Sequence, residues 1–220
     1  MGEKSLHDAI KQWFARPDDQ LEAEVDGYVI DIVRGDLLIE IQTGNFSALK
    51  SKLEILTKHH AVRLVYPIAE QKWIVRVAAD GETVLSRRRS PKRGRIEELF
   101  YELVYIAELM KNHNFSLEVL LIRSEDLLIH DGRGSWRRRG WSIHDRRLLE
   151  VVDRVMFSTP SDFLILLPNT LPDQFTTNDL TEASNLRPAN AQKMAYSMRH
   201  MGAIWVTGKR GRALLYSRIE

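Results

Sequence analysis

The chain has 220 residues, with Lys+Arg 32 against Asp+Glu 30, 44% apolar residues and no cysteine. These values exclude a disordered or collagen-like chain and leave room for one large domain or two small ones with a real core. The missing cysteines exclude disulfides, thiolate zinc sites and cysteine nucleophiles together. Charge is unevenly spread: residues 1–86 hold 10 Lys/Arg and 14 Asp/Glu, whereas residues 87–220 hold 22 and 16. An acidic first part and a basic second part point to a polyanionic partner. Apolar runs such as residues 117–122 are far too short to span a membrane. The stretch Met1-Gly2-Glu3-Lys4-Ser5 has no apolar leader core, so a cytoplasmic protein without membrane association is expected.

In chain order, residues 5–15 read as an amphipathic helix with Leu6, Ile10, Trp13 and Phe14 on one side, ended by Pro17-Asp18-Asp19. Strand-like alternation runs from 21 to 43, with turns at Asp26-Gly27 and Gly35-Asp36. Residues 45–60 have helical spacing at Phe46, Leu49, Leu53 and Leu56. Residues 62–67 and 73–77 read as two strands, 80–95 as a long basic loop and 96–110 as an amphipathic helix. Residues 117–122 and 127–129 are apolar strand-like stretches, followed by a Gly/Arg/Trp loop at 133–141. Residues 145–157 read as a helix, and Thr159-Pro160 opens another. Thr176/Thr177 cap a short helix to about 183, Arg187-Pro188 open one that stops at Gly202, and two strands close the chain. The expected domains are 1–144 and 145–220.

The hairpin at 28–43 carries the chemistry. A two-residue Gly35-Asp36 turn pairs Val33 with Leu38, Ile32 with Ile39 and Asp31 with Glu40. Alternation then puts Ile30, Ile32, Ile39 and Ile41 on one face and Asp31, Glu40 and Gln42 on the other. Two carboxylates directly opposite repel each other, and a hard divalent cation would remove that repulsion. The same pattern is also that of an ordinary solvent-facing hairpin.

Asp31, then Glu40-Ile41-Gln42 on the next strand, then a helix with Lys50 and Lys52, resembles the PD-(D/E)xK restriction-endonuclease-like superfamily. The resemblance covers about residues 1–78 and implies an α/β fold, a mixed sheet flanked by helices. It also implies phosphodiester hydrolysis with Mg2+ or Mn2+, often by a homodimer. It nominates Asp31 and Glu40 as metal ligands and Glu3, on the first helix, as the third carboxylate. Gln42 stands where the family has Lys. A neutral amide can orient water or ligate a metal but supplies no cation, a place that Lys50 or Lys52, on the following helix, can fill by reaching back. The alternative is a nuclease scaffold that has lost catalysis and kept DNA binding. His7, Glu22, Glu24 and Asp26 are further candidates at the same place, with Asp26 more readily a turn former.

Two runs would meet phosphate: Arg87, Arg88, Arg89, Lys92, Arg93 and Arg95, and Arg133, Arg137, Arg138 and Arg139 with Trp136 and Trp141 between them. They fit duplex or branched DNA, and RNA equally well. The last part, three helices and a two-stranded hairpin, resembles a winged helix-turn-helix. That resemblance puts Asn190, Gln192, Lys193, Tyr196 and Arg199 on a recognition helix and Lys209, Arg210 and Arg212 on a wing.

Overall fold

A computed structural model describes residues 2–133 and 139–219, with residues 2–4 described by their backbone alone. The chain runs α1 (Gly2–Phe14), β1 (Gln20–Val25), β2 (Tyr28–Arg34), β3 (Leu37–Ile41), α2 (Phe46–Leu56), β4 (Ala61–Val77) and β5 (Val84–Arg89). A 3₁₀ turn (Ile96–Leu99), α3 (Phe100–Leu103), a second 3₁₀ turn (Ala107–Lys111), β6 (Phe115–His130) and β7 (Trp141–Phe157) follow. The last part holds a 3₁₀ segment (Pro160–Leu166), β8 (Gln174–Phe175), α4 (Thr177–Ser184), α5 (Pro188–Met201), β9 (Ile204–Arg210) and β10 (Ala213–Arg218).

The fold is α/β, built on one large mixed sheet of order β1-β2-β3-β4-β6-β7, with β5 paired to β4. β1, β2 and β3 form an antiparallel meander, β3, β4 and β6 run parallel, and β7 returns antiparallel. The parallel step from β3 to β4 requires a crossover, which α2 supplies. Helices cover both faces. On one, Leu6, Ile10 and Phe14 of α1 pack on Ile32, Ile39, Ile41, Val65 and Leu120. On the other, Phe46, Leu53 and Leu56 of α2 pack on Ile30, Leu38, Val62 and Leu64. The expected single apolar face of the hairpin is therefore split. Ile30 belongs to the α2 side, and Glu40 is buried beneath α2 rather than facing water.

Two expected strand pairs are single long strands: β4 joins 62–67 to 73–77, and β6 joins 117–122 to 127–129. The expected helix at 96–110 is broken into a 3₁₀ turn, one turn of α3 and a second 3₁₀ turn. The helix expected at 145–157 is strand β7. Its register on β6 skips Leu149 and Val152, and these β-bulges leave Leu148 and Val151 packed on the α1 side and Val155 on the α2 side, at spacings of three and four. That spacing imitates a helical period, while the β-branched valines favour the strand.

A cut at 145 falls inside β7, so the large sheet ends at Phe157. The last part has its own sheet, β8-β10-β9, but no separate core. Phe157 stacks on Phe163 with centroids 4.2 Å apart, and Met194, Met198 and Tyr216 join the cluster that holds Phe46 and Phe100. Among the described residues, no helix is long and apolar enough to cross a membrane.

Candidate functional site

The β2–β3 register matches the sequence expectation as far as Ile32↔Ile39, and the ladder then opens. The β1–β2 register likewise has no pair between Leu21↔Ile32 and Ala23↔Ile30. Glu22, opposite Asp31 there, has φ +52°, a left-handed conformation that breaks a regular ladder. The Asp31 carboxylate fills the gap: Ile41 N–H donates to Asp31 Oδ2 at 2.8 Å, a backbone donor that strand pairing would otherwise have used.

Two helices bring cations to these acids. The stripe that buries Leu6, Ile10 and Phe14 puts His7 at its edge, and His7 Nε2 lies 3.1 Å from Asp31 Oδ2. On α2, Lys52 is three residues past Leu49 and four before Leu56, so it shares the buried face. Its Nζ reaches Glu40 Oε1 at 2.7 Å and donates to Val29 O at 2.7 Å. Lys50 sits about 200° round the helix from it, faces solvent, and lies 3.8 Å from Glu54. The reach-back expected of Lys50 or Lys52 is made by Lys52.

Other bonds fix these helices. The Arg34 guanidinium forks onto Asp19, Nε to Oδ1 at 2.9 Å and Nη2 to Oδ2 at 2.7 Å, and also donates to Phe14 O. This ties the end of α1 to the hairpin. The first N–H of α2, on Phe46, donates to Glu102 Oε2 at 2.9 Å.

The electrostatics separate the two acids. Burial pushes the Asp31 carboxyl up, but hydrogen bonds from His7 and Ile41 together outweigh it and hold Asp31 below the usual range. Burial dominates at Glu40 and, with the Asp31 charge beside it, holds Glu40 above its usual range despite Lys52. His7 is raised by its bond to Asp31. The repulsion expected between the carboxylates is therefore met inside the fold by a histidine and a lysine.

Asp31 and Glu40 offer hard oxygen donors of the kind Mg2+ or Mn2+ takes alongside water and phosphate. Among the described residues no cluster of three or more His, Asp or Glu is arranged to hold a metal, so such an ion would depend on those outside oxygens. The Glu3 side chain lies outside the described residues. Gln42 turns its Nε2 to Gly44 O, bracing the turn into α2. Glu22 is engaged by Lys11 at 2.6 Å and Asp26 by His60 at 2.8 Å, so neither joins the pair. Of the further candidates named from the sequence, His7 is the one that reaches the pair; its place three residues before Ile10 was the available signal.

The basic residues fall into three groups. Arg87, Arg88 and Arg89 lie on the exposed strand β5 rather than in a loop. Arg87 bonds Glu125 at 2.6 Å and covers the Trp73 ring. Lys92 and Arg93 are exposed just beyond it. Arg137, Arg138 and Trp136 lie outside the described residues, and Arg139 sits in a turn with φ +48°. On α5, Gln192, Tyr196 and Arg199 are exposed, but Asn190 is buried, because α5 packs into the shared core. Lys193 donates to Tyr101 O at 3.3 Å and lies over the Tyr101 and Tyr105 rings. Lys209 and Arg212 are exposed, whereas Arg210 is held by Asp179 at 2.9 Å.

A family model described as "Domain of unknown function (DUF8091)" matches residues 4–158, which span the large sheet, α2 and most of α1. The chain belongs to this DUF8091 family. It is also similar to an "Uncharacterized protein" of Treponema pallidum (strain Nichols), 30% identical over 217 residues, 98% of this chain and 85% of that one. No solved structure matches it. The DUF8091 match ends where β7 ends, one residue past Phe157, whereas the treponemal relative extends the likeness through the C-terminal part.

Proposed function

We propose that this DUF8091 protein binds DNA and hydrolyses phosphodiester bonds with Mg2+ or Mn2+ at the Asp31 and Glu40 carboxylates, with Lys52 beside Glu40. In this reading the first part is restriction-endonuclease-like and the last part a winged helix-turn-helix. One observation carries it: Lys52 delivers to Glu40, from the following helix, the ammonium that Gln42 cannot supply.

Asp31 and Glu40 would hold the metal through their carboxylates, and a bound metal would supply an activated water and offset charge on the phosphate. Lys52 sets a fixed positive charge against the charge that grows on the phosphate oxygens. His7 orients Asp31 and keeps a proton at that carboxylate's edge. Gln42 shapes the turn that aims α2. Exposed Gln192, Tyr196, Lys209 and Arg212 remain available to DNA, while Lys193 and Arg210 serve internal contacts.

The test is incubation of the purified chain with duplex, nicked and branched DNA and Mg2+ or Mn2+. Cleavage by the wild type and none by Asp31→Ala is expected; equal cleavage by both overturns the assignment. A second reading, an inactive scaffold that only binds DNA, is favoured by the internal pairing of both acids with His7 and Lys52. It predicts no heat of Mn2+ binding in calorimetry and an Asp31→Ala variant indistinguishable from wild type.

A further inference from the structure

α1 covers one face of the large sheet and ends at Phe14. Beyond that end the same face turns from apolar to charged. The registers Arg63↔Ile39, Glu118↔Val65 and Arg154↔Leu120 set these three side chains on the face whose apolar residues α1 buries. Arg34, opposite Leu37, points the same way. With Trp13 and Arg16 from the end of the helix, they line a pocket of about 460 Å³.

Glu118 forms its floor and is only 2% exposed. Arg63 Nη1 donates to Glu118 Oε2 at 3.3 Å, and Arg154 Nη1 lies 3.6 Å from Glu118 Oε1. Both contacts are long, and each leaves most of a guanidinium's five N–H donors unused. Arg63 Nε is buried with no hydrogen-bond partner, and what it lacks is an acceptor. Arg34 is a fixed wall, forked onto Asp19 and 5.3 Å from the centroid of the Phe14 ring. Arg16 is exposed, and its charge also acts on Asp19. Four guanidinium groups thus share the carboxylates of Glu118 and Asp19. Cations gathered in this way repel one another until an anion lies between them.

The pocket also has an apolar border. Trp13 and Met156 line it and are 47% and 37% exposed. Trp13 leans on Phe14, with ring centroids 6.1 Å apart. An exposed indole beside guanidinium forks suits one ligand that carries both a flat ring and a phosphate. The volume falls within the range of about 300–1,000 Å³ usual for small-ligand sites. A base stacked on Trp13 must be unpaired, so a duplex, whose base faces are covered, does not fit.

We propose that this pocket binds a single nucleotide, free or at an unpaired position of a nucleic-acid strand. Arg63, with a small turn of its side chain, joins Arg154 and Arg16 on the phosphate oxygens, and Trp13 stacks on the base. Asp31, Glu40, His7 and Lys52 do not line it, so the site assumes neither hydrolysis nor duplex binding.

The test is isothermal titration calorimetry on the full chain without divalent metal. The probes are deoxyadenosine monophosphate, deoxyadenosine, inorganic phosphate and an end-phosphorylated single-stranded oligonucleotide. Wild type is expected to bind the monophosphate about 10-fold more tightly than deoxyadenosine or inorganic phosphate. Arg16→Gln/Arg154→Gln loses about 10-fold in affinity for the monophosphate. Both positions are exposed and Arg63 still meets Glu118, and circular dichroism checks folding. Trp13→Ala also loses about 10-fold for the monophosphate but leaves inorganic phosphate unchanged. No binding of monophosphate or oligonucleotide by the wild type, or wild-type affinity in the folded double variant, overturns the site. Equal losses for monophosphate and inorganic phosphate in Trp13→Ala overturn the nucleotide assignment. Variant-sensitive binding of the monophosphate alone assigns a free nucleotide, and of the oligonucleotide alone an unpaired strand. Asp31→Ala binds these probes as wild type does, so failure to cleave DNA leaves this pocket standing.

Discussion

The carboxylate pair and the basic segment beyond β5 use charge in opposite ways. At the pair, Asp31 and Glu40 meet His7 and Lys52 at 3.1 and 2.7 Å, so the fold balances its own charge before any partner arrives. In the basic segment Arg93 stays exposed, as does Arg187 at the start of α5, and neither has an ion-pair partner among the described residues. Acids crowded into a sheet interior must be neutralised for the chain to fold, whereas exposed arginines cost little when unpaired. A charge paired internally is thus part of folding as well as function, and an unpaired one is free for a partner.

The sharpest way to break this contrast is Asp31→Ala. On the hydrolytic reading it lowers cleavage by about 1,000-fold, as does chelation of the metal, while duplex affinity measured by anisotropy holds or rises. A parallel loss of affinity would merge the two regions into one binding surface. Lys52→Met comes next: leaving Glu40 buried without its cation costs about 3 kcal/mol in urea unfolding. The deficit shrinks in acid, because protonated Glu40 needs no partner.

Asp19→Asn, which breaks the fork that ties α1 to the hairpin, costs about 1–3 kcal/mol. Arg34 holds the Asp19 carboxyl below its usual range. That stability is complete above the unfolded pKa of about 3.9 and is lost as pH falls through the lower folded value. The variant therefore shows a flatter melting-temperature profile below about pH 4. Lys50→Ala gives the smallest effect, under about 0.5 kcal/mol, because its pair with Glu54 is half exposed. A large effect there would end the distinction between the two lysines.

Part of the site was legible in residue order. The Gly35-Asp36 turn gives the Ile32↔Ile39 register directly. Residue order left Lys50 and Lys52 as alternatives; the packing of α2 through Leu53 and Leu56 brings Lys52 to Glu40 and leaves Lys50 beside Glu54. Other features were not legible for identifiable reasons. Bulges at Leu149 and Val152 gave β7 a helical apolar spacing, and neither bulge has a turn-like residue to mark it. The solvent-facing reading of Glu40 failed because α2 covers a face that alternation alone calls polar. Asn190 reads as a surface residue of α5 until the packing of that helix on α3 and the core is known.

Local chemistry in the chain determined the hairpin as far as Ile32↔Ile39, the two flanking helices and the excess of cations after residue 86. These depend on turn geometry, periodicity and composition, all of which act over a few residues. Tertiary structure decided that the Asp31–Glu40 pairing gives way, which cation answers which acid, that β4 and β6 run unbroken, and that Ser90 and Gly94 lie along β4 beyond the end of β3. Those outcomes depend on contacts between residues far apart in the chain, where packing and burial override local preference.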